Sequence, residues 1–368
     1  MKHSKRLPLW AAILLDIAAA ALLVGGWFVA RIVEDSLHRE ALITVAEQRR
    51  DPSQTPLPEP SPASEPSPEP SPEPTPEPTP EPTPEPVDER SEWQIRFAEH
   101  FTPEVVVTES SYSSPNVAVE ISHHQYDADR GPVVYHLAEF WIGSIDCFRS
   151  GLAVTPPRFH MSASLTDMAE RENAVVAVNG DFCSYSFGGI AVRNGVVINR
   201  RSGDVDMCAL YRDGVMETMI ARDFDYNGAI ERDVWQVWTF GPALLNEDGT
   251  PRQIPYTSLP TEYLLGRNPR TAIGYFEPGH YCFLVADGRQ PGYSVGMTLD
   301  ELSRILSDLG CMAGFNLDGG GSSMMVYRNE LISQIYSNVP RNLSDCVLVT
   351  DYEPPVEEAA EESEVPEP

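Results

Sequence analysis

Apolar and polar positions alternate along this chain in four different ways. Leu7 to Val33 is an almost unbroken apolar run, interrupted only by Asp16 and Arg31. From Asp51 to Pro86 no apolar periodicity survives, because proline recurs at nearly every second position. Between Val87 and Thr350 the apolar residues come in short β-branched and aromatic runs. These are Val117 to Ile121, Val133 to Ile142, Val175 to Val178, Val234 to Phe240, Tyr281 to Val285, Met324 to Tyr327 and Val347 to Val349. Such runs, bounded by Gly, Asn and Asp, predict strands. Only two segments carry a helical period. In Thr298 to Leu309, Thr298 and Glu301 have capping-box spacing, Gly310 suits the position after the helix, and Leu299, Leu302, Ile305, Leu306 and Leu309 form one stripe. Leu165 to Glu172 is the shorter one. The predicted fold class is α+β: a strand-rich single domain with few helices, behind an N-terminal transmembrane helix and a Pro-rich linker.

The apolar run is long enough to cross a bilayer, which takes about 20 residues. Lys2, Lys5 and Arg6 precede it and Glu34 and Asp35 follow, so the positive-inside rule puts the N-terminus in the cytoplasm and the rest outside. The expected organisation is a cytoplasmic tail at 1–6, an anchor at 7–33 and a juxtamembrane segment at 34–50. A disordered Pro/Glu-rich linker at 51–86, the folded domain at 87–350 and an acidic disordered tail at 351–368 follow. The linker holds 16 prolines and eight acidic residues with no basic one. Proline fixes φ and removes ladder donors, so the linker reads as an extended spacer. At about 3.1 Å per residue it reaches up to roughly 110 Å. These features place the protein at the cell membrane as a single-pass chain with an extracytoplasmic domain.

Charge narrows the chemistry. The chain carries a formal charge of −29. Segment 87–350 alone has 34 acidic against 19 basic side chains. Nucleic acid is thereby excluded as a partner, since neutralising phosphates needs a basic surface. Lys2 and Lys5 are the only lysines, so the folded domain has none. Schiff-base chemistry, the P-loop lysine and the kinase lysine are all excluded. Any anion must be gripped by arginine or by backbone N–H groups. Six cysteines outside the cytoplasm permit disulfides in 15 pairings. The histidines, among them the adjacent His123 and His124, lack metal-ligand spacing and read as ordinary surface or half-buried residues.

Three strands exit into aspartate. After the shorter helix and a buried strand comes Asn179-Gly180-Asp181; after the capped helix and a buried strand comes Asn316-Leu317-Asp318. Residues two apart in a strand face the same side, so each Asn and Asp are set to project together. The third exit, after Tyr281 to Ala286, is Asp287-Gly288-Arg289. Turn-making alone explains one such exit. Three, two of them repeated after a helix, point to a shared pocket. Asp318 leads into Gly319-Gly320-Gly321-Ser322-Ser323, where consecutive glycines permit positive φ and an anion-binding nest of N–H groups.

Taken in order, Asn179-Gly-Asp-Phe182, Gly189 with Arg193-Asn-Gly195, Phe240-Gly-Pro242, Asn268-Pro-Arg-Thr-Ala-Ile-Gly274, Ala286-Asp-Gly-Arg-Gln290, Ser294 with Gly296-Met-Thr-Leu299, and Asn316-Leu-Asp-Gly-Gly-Gly-Ser-Ser323 resemble the phosphodiester glycosidase family. The resemblance implies hydrolysis of a sugar 1-phosphodiester at the anomeric carbon, with an N-acetylglucosamine-phosphate type of substrate. Phosphate is a good leaving group, so the need falls on a cationic clamp and on carboxylates facing an oxocarbenium-like carbon. The catalytic candidates are Asp318, Asp287 and Asp181. The substrate-binding candidates are Asn179, Arg270, Thr271, Arg289, Asn316, Gly319, Gly320, Gly321, Ser322, Ser323 and Arg341. No cofactor is expected, although Asp, Asn and backbone oxygen would suit Ca²⁺ or Mg²⁺ in a metal-dependent phosphodiesterase. The expected partner is a glycan or glycosyl-phosphate polymer of the cell envelope or an exopolysaccharide. The alternative is a non-catalytic carbohydrate-binding or envelope-assembly module using the same groove.

Overall fold

The computed structural model describes residues 90–155, 160–183, 189–201, 203–254, 266–337 and 339–352. All of them fall in the unit Asp88–Pro368. The expected cytoplasmic tail, anchor, juxtamembrane segment and linker lie outside the described residues, as does nearly all of the acidic tail. Among the described residues no helix is long and apolar enough to cross a membrane.

The described chain holds seventeen strands and four α-helices. A seven-stranded antiparallel sheet has the order β1 (Val106–Val107), β2 (Ser111–Ser113), β3 (Val117–Ala128), β4 (Gly131–Ile142), β13 (His280–Ala286), β12 (Arg270–Glu277), β14 (Ala313–Asn316). A five-stranded sheet runs β10 (Met216–Ile220), β9 (Asp206–Tyr211), β11 (Val234–Thr239), β7 (Gly189–Arg193), β8 (Val196–Arg201). The third runs β16 (Glu330–Leu331), β15 (Met325–Tyr327), β6 (Ala174–Asn179), β17 (Asp345–Thr350), β5 (Phe148–Leu152). None of the sheets closes on itself. All three contribute to one apolar cluster that includes Val119, Phe140, Phe148, Val176, Trp238, Phe283, Phe315 and Val347. Burying such side chains contributes roughly 1.5–3 kcal/mol each, and this cluster joins the sheets.

Among the described residues the α-helices are α1 (Glu92–Arg96), α2 (Leu165–Arg171), α3 (Tyr226–Glu231) and α4 (Leu299–Asp308). Helix α4 forms where the capping box predicts. Thr298 accepts from the Glu301 N–H at 3.2 Å, and Glu301 accepts from the Thr298 N–H at 2.9 Å. Gly310 follows at φ +92°. Leu299, Leu302 and Leu306 are buried against Leu244, Cys282 and Leu284, whereas Leu309 at the C-cap is exposed. The helices α1 and α3 carry too few apolar positions to be legible as a stripe.

Strand β3 runs seven residues past its apolar run, because Ser122 to Ala128 alternate half-buried and exposed while pairing residue by residue with β4. That polar half of β3 brings His123 opposite His136. Disulfides were permitted by the cysteine count, but all six thiols are free and buried. Cys282 and Cys311 approach to 4.0 Å between sulfurs, well beyond the roughly 2.05 Å of a disulfide.

Candidate active site

Two of the three aspartate exits meet through the backbone. The Asp318 N–H donates to the Gly180 carbonyl at 3.3 Å, and the Leu317 N–H to the Thr271 carbonyl at 2.8 Å. The Asn179 side chain spans the junction, donating to the Asp318 carbonyl at 2.7 Å and to the Gly180 carbonyl at 3.2 Å. Its Oδ1 accepts from the Thr271 hydroxyl at 2.6 Å and the Met324 N–H at 3.3 Å. Asn179, with all four side-chain positions used, and Thr271, whose hydroxyl donates to it, are fully buried and hold this junction together. Asn316 donates to the Gly241 and Leu317 carbonyls, leaving its buried Oδ1 without a partner. The Ser323 hydroxyl is likewise buried and unpartnered.

Each expected aspartate has a different setting. Asp181 is buried and accepts from the Thr239 N–H at 2.7 Å and from Arg193 at 2.5 Å. Arg193, itself buried, also donates twice to Asp345, at 3.0 and 2.9 Å. A Cβ at Gly180 would lie 2.4 Å from the Asp345 carboxyl, so glycine is required there. Burial, with Asp345 adding to it and Arg193 opposing, pushes the Asp181 carboxyl up to about 6. Asp287 is buried too, and both its oxygens are occupied. His136 Nε2 lies 2.9 Å and the Tyr293 hydroxyl 2.8 Å from Oδ2, while the Gln334 N–H donates to Oδ1 at 3.0 Å. Of the three, only Asp318 is half-buried and not fully buried. Its Oδ1 accepts from the Gly319 N–H at 2.8 Å. Burial raises its pKa, while hydrogen bonds from Ser322 and Gly319 and the charge of Arg341 pull the other way.

The triglycine loop carries the cations. A Cβ at Gly320, which sits at φ +62°, would fall 3.0 Å from an Arg289 nitrogen, and one at Gly321 would fall 3.1 Å from an Arg341 nitrogen. Successive glycines thus let two guanidinium groups lie against the loop. Arg289 is exposed, donates to Asn268 Oδ1 at 2.9 Å and stands 5.0 Å from the Tyr336 ring centroid. Arg341 is exposed and donates to the Ser322 hydroxyl at 3.3 Å. Arg193, Arg212, Arg232, Arg252 and Arg267 are all paired with carboxylates. Among the described residues neither Arg289 nor Arg341 has a carboxylate within 4 Å. Two guanidinium groups against one loop, neither bound to a carboxylate, have the chemistry to grip an anion. Arg270 is buried beneath, donating to the Met297 and Gly266 carbonyls; burial and the charge of Arg289 lower its pKa to about 10.

Sequence reasoning missed Asp345, Arg193 as its partner, and His136. Arg193 had a signal in the Arg-Asn-Gly turn; Asp345 and His136 sit inside strands with none. Asp181, Cys183 and Asp345 bring possible metal-ligand atoms within 4.8 Å of one another. Arg193 already supplies positive charge there, and a thiol beside two carboxylates departs from the all-oxygen set that Ca²⁺ or Mg²⁺ takes.

Comparison with known proteins gives the following. Residues 172–350 match the phosphodiester glycosidase family. A curated relative, the SPbeta prophage-derived uncharacterized protein YomE of Bacillus subtilis (strain 168), is 27% identical over 193 residues. The match takes in 51% of this chain and 29% of that protein, so the chain spans less than a third of its relative. Among solved structures, the catalytic domain of zebrafish N-acetylglucosamine-1-phosphodiester alpha-N-acetylglucosaminidase, auto-inhibited by its pro-peptide, has a TM-score of 0.52 and 20% identity. It covers 68% of this chain and 88% of that one, a likeness of fold.

Proposed function

From the phosphodiester glycosidase domain that residues 172–350 form, we propose that this chain hydrolyses a sugar 1-phosphodiester, taking the bond between the anomeric carbon and the phosphate oxygen. The observation that carries this reading is Asp318, half-buried at the root of a triglycine loop against which two arginines without a carboxylate partner lie. Arg289 and Arg341 hold the phosphate, and Asp318 faces the anomeric carbon; the expected nest of loop N–H groups is corrected, because those of Gly319, Gly320, Ser322 and Ser323 already donate to Asp318, Pro269, Gly319 and Gly320. As the C1–O bond breaks, its electron pair goes to the phosphate oxygen. The charge there needs no strong general acid, because the departing monoester is stable as an anion and is already clamped. Positive charge developing at C1 is met by the Asp318 carboxylate, and water supplies the new C1–O bond, its proton passing to the departing monoester or to solvent.

The other two expected aspartates take supporting parts in this scheme. Asp181 belongs to the Arg193–Asp345 cluster and fixes the strand exit. Asp287 holds the turn that carries Arg289. The unpartnered Asn316 Oδ1 and Ser323 hydroxyl offer an acceptor and a donor for a sugar hydroxyl or an acetamido group. The apolar run at 7–33 and the spacer at 51–86 support an envelope location, with a wall or exopolysaccharide phosphodiester as substrate.

Product analysis on one model sugar 1-phosphodiester tests the reaction class. Free sugar plus a phosphate monoester that takes up no ¹⁸O from labelled water supports it; ¹⁸O in the phosphate, or sugar 1-phosphate as product, would mean P–O cleavage and sink it. Binding of polymer without release of any product, unchanged by Asp318→Asn, would make the domain a carbohydrate-binding module instead.

A further inference from the structure

The turn carrying Arg289 hangs from a buried chain of titratable groups that reaches the surface on the opposite side of β4. Asp287 donates its N–H to the Val134 carbonyl at 3.0 Å, and its own carbonyl accepts from Ser294 at 2.6 Å, so its backbone is fixed to β4. Its carboxyl accepts from Tyr293, from the Gln334 N–H and from His136. Gln290 Nε2 then donates to the Gln334 main-chain carbonyl at 2.9 Å, and Gln334 Nε2 donates to Gln290 Oε1 at 2.8 Å. Tyr336, two residues on, lies by Arg289, and Arg341 lies on Gly321. Asp287 is therefore the point at which the Arg289 turn and the segment leading to Arg341 are tied together.

His136 is buried on β4, and its second nitrogen, Nδ1, lies 2.6 Å from Nδ1 of His123, an exposed residue directly across on β3. A carboxylate can only accept, so His136 Nε2 carries a hydrogen. In the neutral state His136 Nδ1 is then the acceptor and His123 Nδ1 the donor. One added proton is accommodated with the contact intact: it leaves His136 doubly protonated and His123 with its hydrogen on the solvent-facing Nε2. A second added proton would set two N–H groups face to face at that 2.6 Å contact and break it. The titratable groups facing the pair are His124 on β3 and Asp287 and Tyr293 after β13. His124 contacts the Ser122 hydroxyl at 2.8 Å and stacks on Tyr135 of β4. Burial first, then the neighbouring imidazoles of His136 and His124, lower the His123 pKa, and Asp287 opposes them.

We propose that His136 is a positioning residue for the oxyanion clamp, holding Asp287 in the orientation that ties Gln334 to the Arg289 turn, with His123 as the port through which His136 exchanges its proton. The inference rests on the phosphate-clamp part of the function proposed above. Its test is therefore a binding measurement that needs no turnover. Sulfate keeps its double charge across the pH range of histidine titration, so its affinity for the full chain reports the clamp and not the probe.

Calorimetry with sulfate is run on wild type, His136→Phe and His136→Gln. Phenylalanine removes the donor to Asp287; glutamine keeps an N–H at comparable reach. The expected result is a loss of about tenfold in sulfate affinity for H136F and recovery to within about threefold of wild type for H136Q. Equal affinity in folded H136F, or H136Q no better than H136F, overturns the proposal, as does wild type that binds no sulfate. Should H136F fail to fold, ¹⁵N NMR of wild type decides: with both imidazoles neutral the hydrogen is expected on Nε2 of His136 and on Nδ1 of His123, and His136 carrying its hydrogen on Nδ1 overturns the proposal. If the sulfate pattern holds while no sugar is released from a 1-phosphodiester, the function reading fails and the positioning role stands.

Discussion

Asn179 of β6 donates its amide hydrogen to the main-chain carbonyl of Asp318, 2.7 Å away, and so fixes the residue proposed to face the anomeric carbon. Because all four hydrogen-bonding positions of Asn179 are taken by the protein, its replacement strands buried partners. Asn179→Ala is expected to cost about 1–3 kcal/mol of stability, and Asn179→Asp more, since a carboxylate would face two carbonyl oxygens. Denaturant melts of the two variants check the order. Asn179→Ala with full stability and only a raised KM would return the residue to substrate binding.

Asp318→Asn is expected to lower kcat at least about a hundredfold. Burial raises the pKa of this carboxyl, so the folded chain accepts an uncharged amide there readily. A stability gain of about 0.5–2 kcal/mol is expected with the loss of turnover, as at other sites where function holds a charge in a costly place. Thermal melts beside single-turnover rates check the pairing. A variant as active as wild type removes Asp318 from the mechanism.

Arg289 occupies the left-handed region at φ +60°, which costs a residue with a side chain about 1–2 kcal/mol. Arg289→Gly relieves that strain while losing the stacking on Tyr336, worth about 0.5–1 kcal/mol at an exposed site. The two offset, so Tm is expected to move by no more than about 3 °C. Phosphate or sulfate affinity should fall about tenfold or more, because a charge-assisted donor pair is gone. Unchanged anion affinity would exclude Arg289 from the clamp.

Asp181 gives a pH dependence of unusual sign. Its carboxyl titrates near 6 in the folded chain, against an ordinary 3.8. Between those values the folded state holds a proton that the unfolded state has released. Stability contributed by this group is therefore present at low pH and declines as pH rises from about 4 to about 6. Asp181→Asn, which does not titrate, should gain on wild type across that window and keep a constant difference above it. Melts at several pH values measure the gap, and a gap that moves the other way contradicts the raised pKa.

Local signals in the chain were strongest where a backbone rule applied. The Thr298 and Glu301 capping box, the glycines at 319 to 321 and the Asn-x-Asp exits were legible because each needs particular residues at fixed spacing. Asp345 was not, because it meets Arg193 across 152 positions of sequence and sits in a strand whose apolar pattern hides it. His136 was hidden in the same way. Its neighbours in β4 read as a buried strand, and only the cross-strand register with the polar end of β3 reveals His123. Asn179 was legible as a residue, but its four hydrogen bonds within the fold were not, since their partners lie on other strands and loops.

Strand β17, the last of the described elements, lies between β5 and β6 in its sheet and carries Asp345 to Arg193. The earliest and middle parts of the domain thus wait for its end. A nascent or truncated chain lacking residues 340–350 would have β5 and β6 unpaired along their facing edges and Arg193 buried beside a single carboxylate. It would also lack Arg341 at the glycine loop. Anion binding and the cooperative fold should therefore arise together, in one step, when the final strand slots in.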